Sequence, residues 1–328
     1  MHKTGKFIKQ LLKSNKIYNT VVKNIKKDLY ELSFFENIEV EEENLKENFK
    51  RNFFSIFMLS LIDFLEAEKE DIVKYGKCLF YLRGIITCTD NIIDDESKGV
   101  IFLNGIEEKT TENTLLTLLL QKNLEKIIFD LDKKNKGISN KVLESIYLIA
   151  KSEGLRDRSI YESYPSYNSI SHDIHSGIGG ELLKIGILVP LYMEKNDKFK
   201  EISKALYNLG MSLQGLDDLC DMKEDFLAKK INLATSFFMD KLEIDEEKAV
   251  NLNILDTPTT EEYLKGIIDY SMESFSILEK IGYPINKKIG MKLLFHLFKI
   301  RGLEDLWSIY KEEEENEKNS FGVYAFNK

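Results

Sequence analysis

From about residue 40 onward, apolar residues recur every three to four positions, the period of a helix with one buried face. The pattern predicts long helices over 53–68, 70–95, 114–134, 140–154, 169–193 and 199–226. Two or three more fill 245–310. No stretch alternates with period two for long enough to propose a sheet, and no repeat of fixed period is visible. The expectation is an all-α protein built as one large helical bundle over 41–310, with no interdomain linker.

The ends differ from this body. Residues 1–27 contain eight lysines and no acidic residue. Their apolar residues (Phe7, Ile8, Leu11, Leu12, Tyr18, Val21, Val22, Ile25) have helical spacing. Residues 1–40 therefore read as a basic amphipathic helical extension. It either packs on the bundle or rests on an anionic membrane surface. Residues 311–328 read as an acidic, frayed tail.

Composition agrees with long helices: 328 residues hold four prolines and eighteen glycines. The net charge of −9 argues against nucleic acid as the main partner. Cys78, Cys88 and Cys220 lack zinc-ligand spacing and read as reduced thiols, which points to a cytoplasmic protein with at most peripheral membrane association. No signal peptide and no apolar run of transmembrane length is evident; "LLKIGILVPLYM" (182–193) is short and carries Lys184.

The chemistry concentrates in "GLDDLCDMKEDF" (215–226), where a strongly apolar helix runs into Asp217, Asp218, Asp221 and Asp225. Asp217, Asp221 and Asp225 are spaced i, i+4, i+8 and read as one face. Like charges so placed repel unless something positive compensates, and divalent cations do so economically. A second apolar helix ends the same way in "TCTDNIIDDESKG", with Asp90 and Asp94 at i, i+4, followed by Asp95. If the two helix ends are neighbours, their hard oxygen ligands suit Mg²⁺, which keeps waters and shares its sphere with phosphates.

These two motifs resemble those of the class I isoprenoid synthases: prenyltransferases, squalene and phytoene synthases, and class I terpene cyclases. "DNIID" matches the first motif with Asn91 in place of the second acid, and "DDLCDMKED" fits both forms of the second motif. "LAKKINLAT" (227–235) is similar to the basic turn that follows. The resemblance implies a helical bundle with a central active-site cavity and ionisation of an allylic prenyl diphosphate. It implies three Mg²⁺ ions held by Asp90 and Asp94 on one side and Asp217, Asp221 and Asp225 on the other. Asp95, counted with the metal-site residues, and Asp218 would either support these ligands or be solvated neighbours, with support favoured for Asp95. Homodimerisation is common among such enzymes.

Phosphate-binding candidates are scarce because the chain has five arginines. Arg156 and Arg158 sit together, and either face the diphosphate or form a surface loop. Arg83 lies two helical turns before Asp90, and either reaches the same cavity or makes a structural ion pair. Lys229 and Lys230 follow the second motif as phosphate contacts or solvated lysines. The paired arginine that elongating prenyltransferases carry after the first motif is absent; only Lys98 follows, and their upstream Gly-Lys-x-x-Arg site is not found. Cyclisation or prenyl coupling is therefore favoured over chain elongation, which stands as the alternative. A helical pyrophosphohydrolase and a non-catalytic membrane- or partner-binding scaffold are the competing classes.

Phe53, Phe54, Phe57, Phe80 and Tyr81 read as core. Gly177, Gly179 and Gly180 within a helical pattern suggest a break or a close approach to ligand. His172 and His175 make a poor metal pair without further soft ligands.

Overall fold

The computed structural model describes residues 3–31, 38–40, 49–95, 98–99, 101–133, 136–255, 259–300, 303 and 305–307. The acidic tail at 311–328 lies outside the described residues. The chain divides into two compact units.

Unit 1 comprises essentially residues 5–142 and 186–199. It contains α1 (Lys3–Tyr30), α2 (Phe53–Phe64), α3 (Lys69–Asp94) and α4 (Lys109–Leu131). Two three-residue strands, β1 (Ile38–Val40) and β2 (Ile101–Leu103), pair antiparallel with Ile38 opposite Leu103. Helix α2 is apolar nearly all round, and Ser55 to Ile62 are all buried, as such a helix requires. Phe57 and Tyr81 are core residues, in line with their sequence pattern. Helix α1 buries Phe7, Leu11, Tyr18, Val21 and Ile25. Gly76 of α3 admits this packing, because a methyl group there would collide with Val21. The apolar face of the basic helix is thus spent inside unit 1. Helix α4 starts at Glu108, whose carboxylate accepts the N–H groups of Thr110 and Thr111.

Unit 2 comprises essentially 143–185 and the residues from 200 onward. It holds most of α5 (Ile138–Gly154) and of the long helix α6 (Tyr167–Met193), followed by α7 (Lys198–Leu227). Then come α8 (Leu233–Leu242), α9 (Glu246–Val250), α10 (Thr259–Lys280) and α11 (Lys287–Ile300). The glycines of α6 lie within one continuous helix, Tyr167–Met193. Residues Ile170–Glu181 wind as a π-helix, and the glycines let α6 approach its neighbours. A methyl group on Gly179 would sit 2.8 Å from the carbonyl oxygen of Gly210 in α7. Gly180 abuts the Tyr207 ring and Gly177 abuts Ser152. Helix α6 is also long and apolar enough, by composition, to cross a membrane, contrary to the shorter run read from the sequence. Two thirds of that apolar window is buried within the protein, as for a core helix.

Burial raises the thiol of Cys78 to about 12 and that of Cys88 to about 11, so both stay protonated near neutrality.

Candidate active site

Helix α7 presents its acids on two faces rather than one. A residue advances by roughly 100° in an α-helix, so each i+4 step drifts about 40°. Asp217 and Asp221 remain near one another and are half-exposed. Asp225 has drifted roughly 80° from Asp217, close to the direction of Asp218. Asp218 and Asp225 are both buried. The three-in-line face expected from the sequence is corrected to a pair, with the third acid turned inward.

The inward acids are locked by partners from distant segments. His175 of the π-helix places Nε2 2.9 Å from Oδ2 of Asp218. Gln214 Nε2 donates to the other Asp218 oxygen at 2.9 Å, and the Leu233 N–H donates to Oδ2. Burial pushes the Asp218 carboxyl upward, but His175, Arg156 and the Leu233 N–H outweigh it and hold it below the usual range. Asp225 accepts Arg156 Nη2 at 2.9 Å on one oxygen and Asn232 Nδ2 at 2.8 Å on the other. There burial wins over Arg156, and the carboxyl is pushed up to about 6. Both Asp225 oxygens are thus engaged by protein partners in this structure.

Asn232 ties the arrangement together. Its Nδ2 also donates to the Asp218 carbonyl, and its Oδ1 caps α8 by accepting the Thr235 N–H at 2.9 Å. Tyr164 Oη accepts the Asn232 N–H and donates to its carbonyl. An Asn directly before the apolar run "LATSFF" is a helix-start signature, and that signal marks Asn232 in the sequence.

Two of the arginines expected at the diphosphate, Arg156 and Arg158, have protein partners in this structure. Arg156 is bound to Asp225 and lies 3.5 Å from Glu153. Arg158 pairs with Glu246 at 3.3 Å, donates to the Tyr161 carbonyl, and lies over the Tyr164 ring. Asp157 and Lys230 form an antiparallel bridge, through Arg158 N–H to Lys229 O and Ile231 N–H to Arg156 O. This bridge fixes the turn after the second acidic motif. Lys229 is exposed at its left-handed corner, with φ of 54°, and Lys230 is half-exposed.

In unit 1, α3 carries the first motif to its end. Asp90 is exposed and Asn91 is buried. The substitution of Asn for the second acid has a structural reason. Asn91 Nδ2 donates to the Lys98 carbonyl and to Asn113 Oδ1, while its Oδ1 accepts the Lys98 N–H. A carboxylate could not donate either bond. The Asp94 side chain lies outside the described residues. Asp95 is the left-handed C-cap of α3, and its side chain is 90% exposed, 3.7 Å from Lys109 Nζ. Asp95 thus ends α3 and meets solvent.

A cavity of about 540 Å³ lies beside this end of α3. Arg51, Arg83 and Lys98 line it together with Phe80, Phe102 and Leu116. Arg51 donates to the Gly99 carbonyl, and Arg83 donates to Asn52 Oδ1. Sequence reasoning found Arg83 but did not connect it with Arg51, which lies 32 positions earlier. No local motif links the two.

Among the described residues, no three His, Cys, Asp or Glu side chains cluster as a protein-only metal cage. Mg²⁺ does not require one; it is commonly held by one or two carboxylates with waters and substrate phosphates. The half-exposed pair Asp217 and Asp221 fits that donor chemistry.

No protein-family model matches the chain, and no curated protein matches it. Solved structures do. The geranyltranstransferase of Thermotoga maritima is 15% identical, with a TM-score of 0.57 over 89% of this chain and 98% of that one. The heptaprenyl diphosphate synthase of Staphylococcus aureus is 16% identical, with a TM-score of 0.49 over 87% of this chain and 98% of that one. The geranylgeranyl pyrophosphate synthetase of Pyrococcus horikoshii is 14% identical, with a TM-score of 0.41 over 92% and 100%. The first of these likenesses, together with the helical composition, establishes the architecture: the chain has the all-α class I isoprenoid synthase fold.

Proposed function

We propose that the chain is a Mg²⁺-dependent trans-prenyltransferase that extends an allylic prenyl diphosphate with isopentenyl diphosphate. The observation that carries the elongation reading is the cationic cavity of unit 1. Arg51 comes from upstream of the first motif and Lys98 from just after it, and both line one apolar-walled space with Arg83. This pocket supports the reading by offering cationic side chains where the two basic linear motifs are missing. This reverses the sequence-based preference for cyclisation or coupling, and the geranyltranstransferase likeness points the same way.

In the proposed reaction, the allylic C–O bond breaks and its electron pair leaves with diphosphate. The isopentenyl double bond then attacks the allylic cation, and a proton is lost from the new chain. Asp217 and Asp221 would hold Mg²⁺ in unit 2, and the family resemblance assigns Asp90 and Asp94 the same task in unit 1. Bound Mg²⁺ supplies charge neutralisation that makes diphosphate a competent leaving group. Arg51, Arg83 and Lys98 would bind the diphosphate of the second substrate.

The test incubates the full chain with geranyl, farnesyl or geranylgeranyl diphosphate, with and without Mg²⁺ and labelled isopentenyl diphosphate. Metal-dependent incorporation of label is expected. Metal-dependent diphosphate release without incorporation would transfer support to cyclisation or coupling. Turnover that ignores metal, or none with any of the substrates, would overturn the proposal.

A further inference from the structure

Helix α1 segregates positive charge on the face its packing leaves outward. Lys6, Lys9, Lys13, Lys16, Lys23 and Lys27 are exposed. They follow alternating steps of three and four residues, interrupted only by Thr20, and so form one row along the helix. No acidic residue enters the row. Lys13 reaches Asp63 at 2.7 Å. A chain with a net charge of −9 has therefore concentrated cations along one helix of 28 residues, roughly 42 Å long.

A helix that inserts into lipid needs a free apolar face. In α1 that face is buried in unit 1, and Leu12 is the large apolar side chain left exposed. What remains outward is suited to charge rather than insertion. Nucleic-acid contacts rely heavily on arginine forks and stacking aromatics. Helix α1 has no arginine, and Phe7 and Tyr18 are turned inward. We propose that the outer lysine row of α1 docks on the anionic surface of a lipid bilayer, held by headgroup charge, with the apolar face retained in the protein. The inference does not rest on the reaction assigned above.

The test sediments the full chain with vesicles of phosphatidylcholine alone and of phosphatidylcholine mixed with phosphatidylserine, at low and physiological salt. Binding to the mixed vesicles only, weakening as salt rises, is expected. Each lysine near such a surface contributes about fivefold in partitioning. The combined change Lys9→Glu, Lys16→Glu, Lys23→Glu should lower binding by about a hundredfold or more, with melting temperature and prenyl diphosphate turnover unchanged. Leu12→Ser should bind as the parent does. Equal binding to both vesicle types would overturn the proposal. So would undiminished binding by the triple variant, a Leu12→Ser loss as large as that variant's, or tighter retention of single-stranded RNA than of the mixed vesicles.

Discussion

Nε2 of His175 and Oδ2 of Asp218 lie 2.9 Å apart, and both side chains are almost wholly buried. The pair anchors the inward flank of α7 while the adjacent flank presents Asp217 and Asp221. Removing the imidazole leaves a buried carboxylate short of a partner. His175→Ala is expected to cost about 2 kcal/mol, read from the urea midpoint. If the anchor also aligns the outward acids, Mg²⁺ binding measured by calorimetry weakens in the folded variant. Unchanged stability would show that the contact contributes nothing.

Arg156 and Asp225 make the second anchor, and its pH dependence has a defined sign. Asp225 is raised to about 6 in the folded protein, above its ordinary 3.8. The native state therefore holds more proton than the unfolded chain in between, and this group's contribution to stability falls as pH rises through that window. Arg156→Ala removes the countercharge and moves the folded value higher still. The variant should lose about 3 kcal/mol at pH 8 and less at pH 5, where the carboxyl takes up a proton. Denaturation at the two pH values checks this, and an equal loss at both would contradict it.

Restoring the second acid of the first motif should harm the protein. Asn91→Asp forfeits the donations to the Lys98 carbonyl and to Asn113, and buries a charge facing two acceptors. A loss of about 2–3 kcal/mol is expected in thermal or urea unfolding. A neutral or stabilising result would refute the structural reason given for this asparagine.

The cationic cavity should act on one substrate more than the other. Arg51→Ala and Lys98→Ala are each expected to raise the KM for isopentenyl diphosphate about tenfold, the weight of one charged hydrogen bond. The KM for the allylic substrate should move much less. An unchanged KM for isopentenyl diphosphate would place the cavity outside substrate recognition.

Asp90→Ala and Asp221→Ala should each abolish turnover while far-ultraviolet circular dichroism and melting temperature persist. Full activity in either variant would contradict the metal assignment.

Much of the fold was legible in the chain, because helix periodicity is a local property. The apolar spacing marked each long helix, and the two acidic motifs stood out because each follows an apolar run. The lysine row of α1 was visible for the same reason. The inward turn of Asp225 was hidden by treating i, i+4, i+8 as one face, when 3.6 residues per turn carries the third position around the helix. The glycines of α6 signalled close approach, and the neighbours they meet are Ser152 of α5 and Gly210 and Tyr207 of α7.

The sequence by itself determined which segments are helical, where charge accumulates and which chemistry the carboxylates suit, since each depends on residues a few positions apart. Tertiary structure decided which acids are spent on folding and which face solvent. The partners that settle this, His175 and Arg156 for Asp218 and Asp225, lie 43 and 69 positions away. The cavity of Arg51, Arg83 and Lys98 arose the same way, from packing that brings separate segments to one surface.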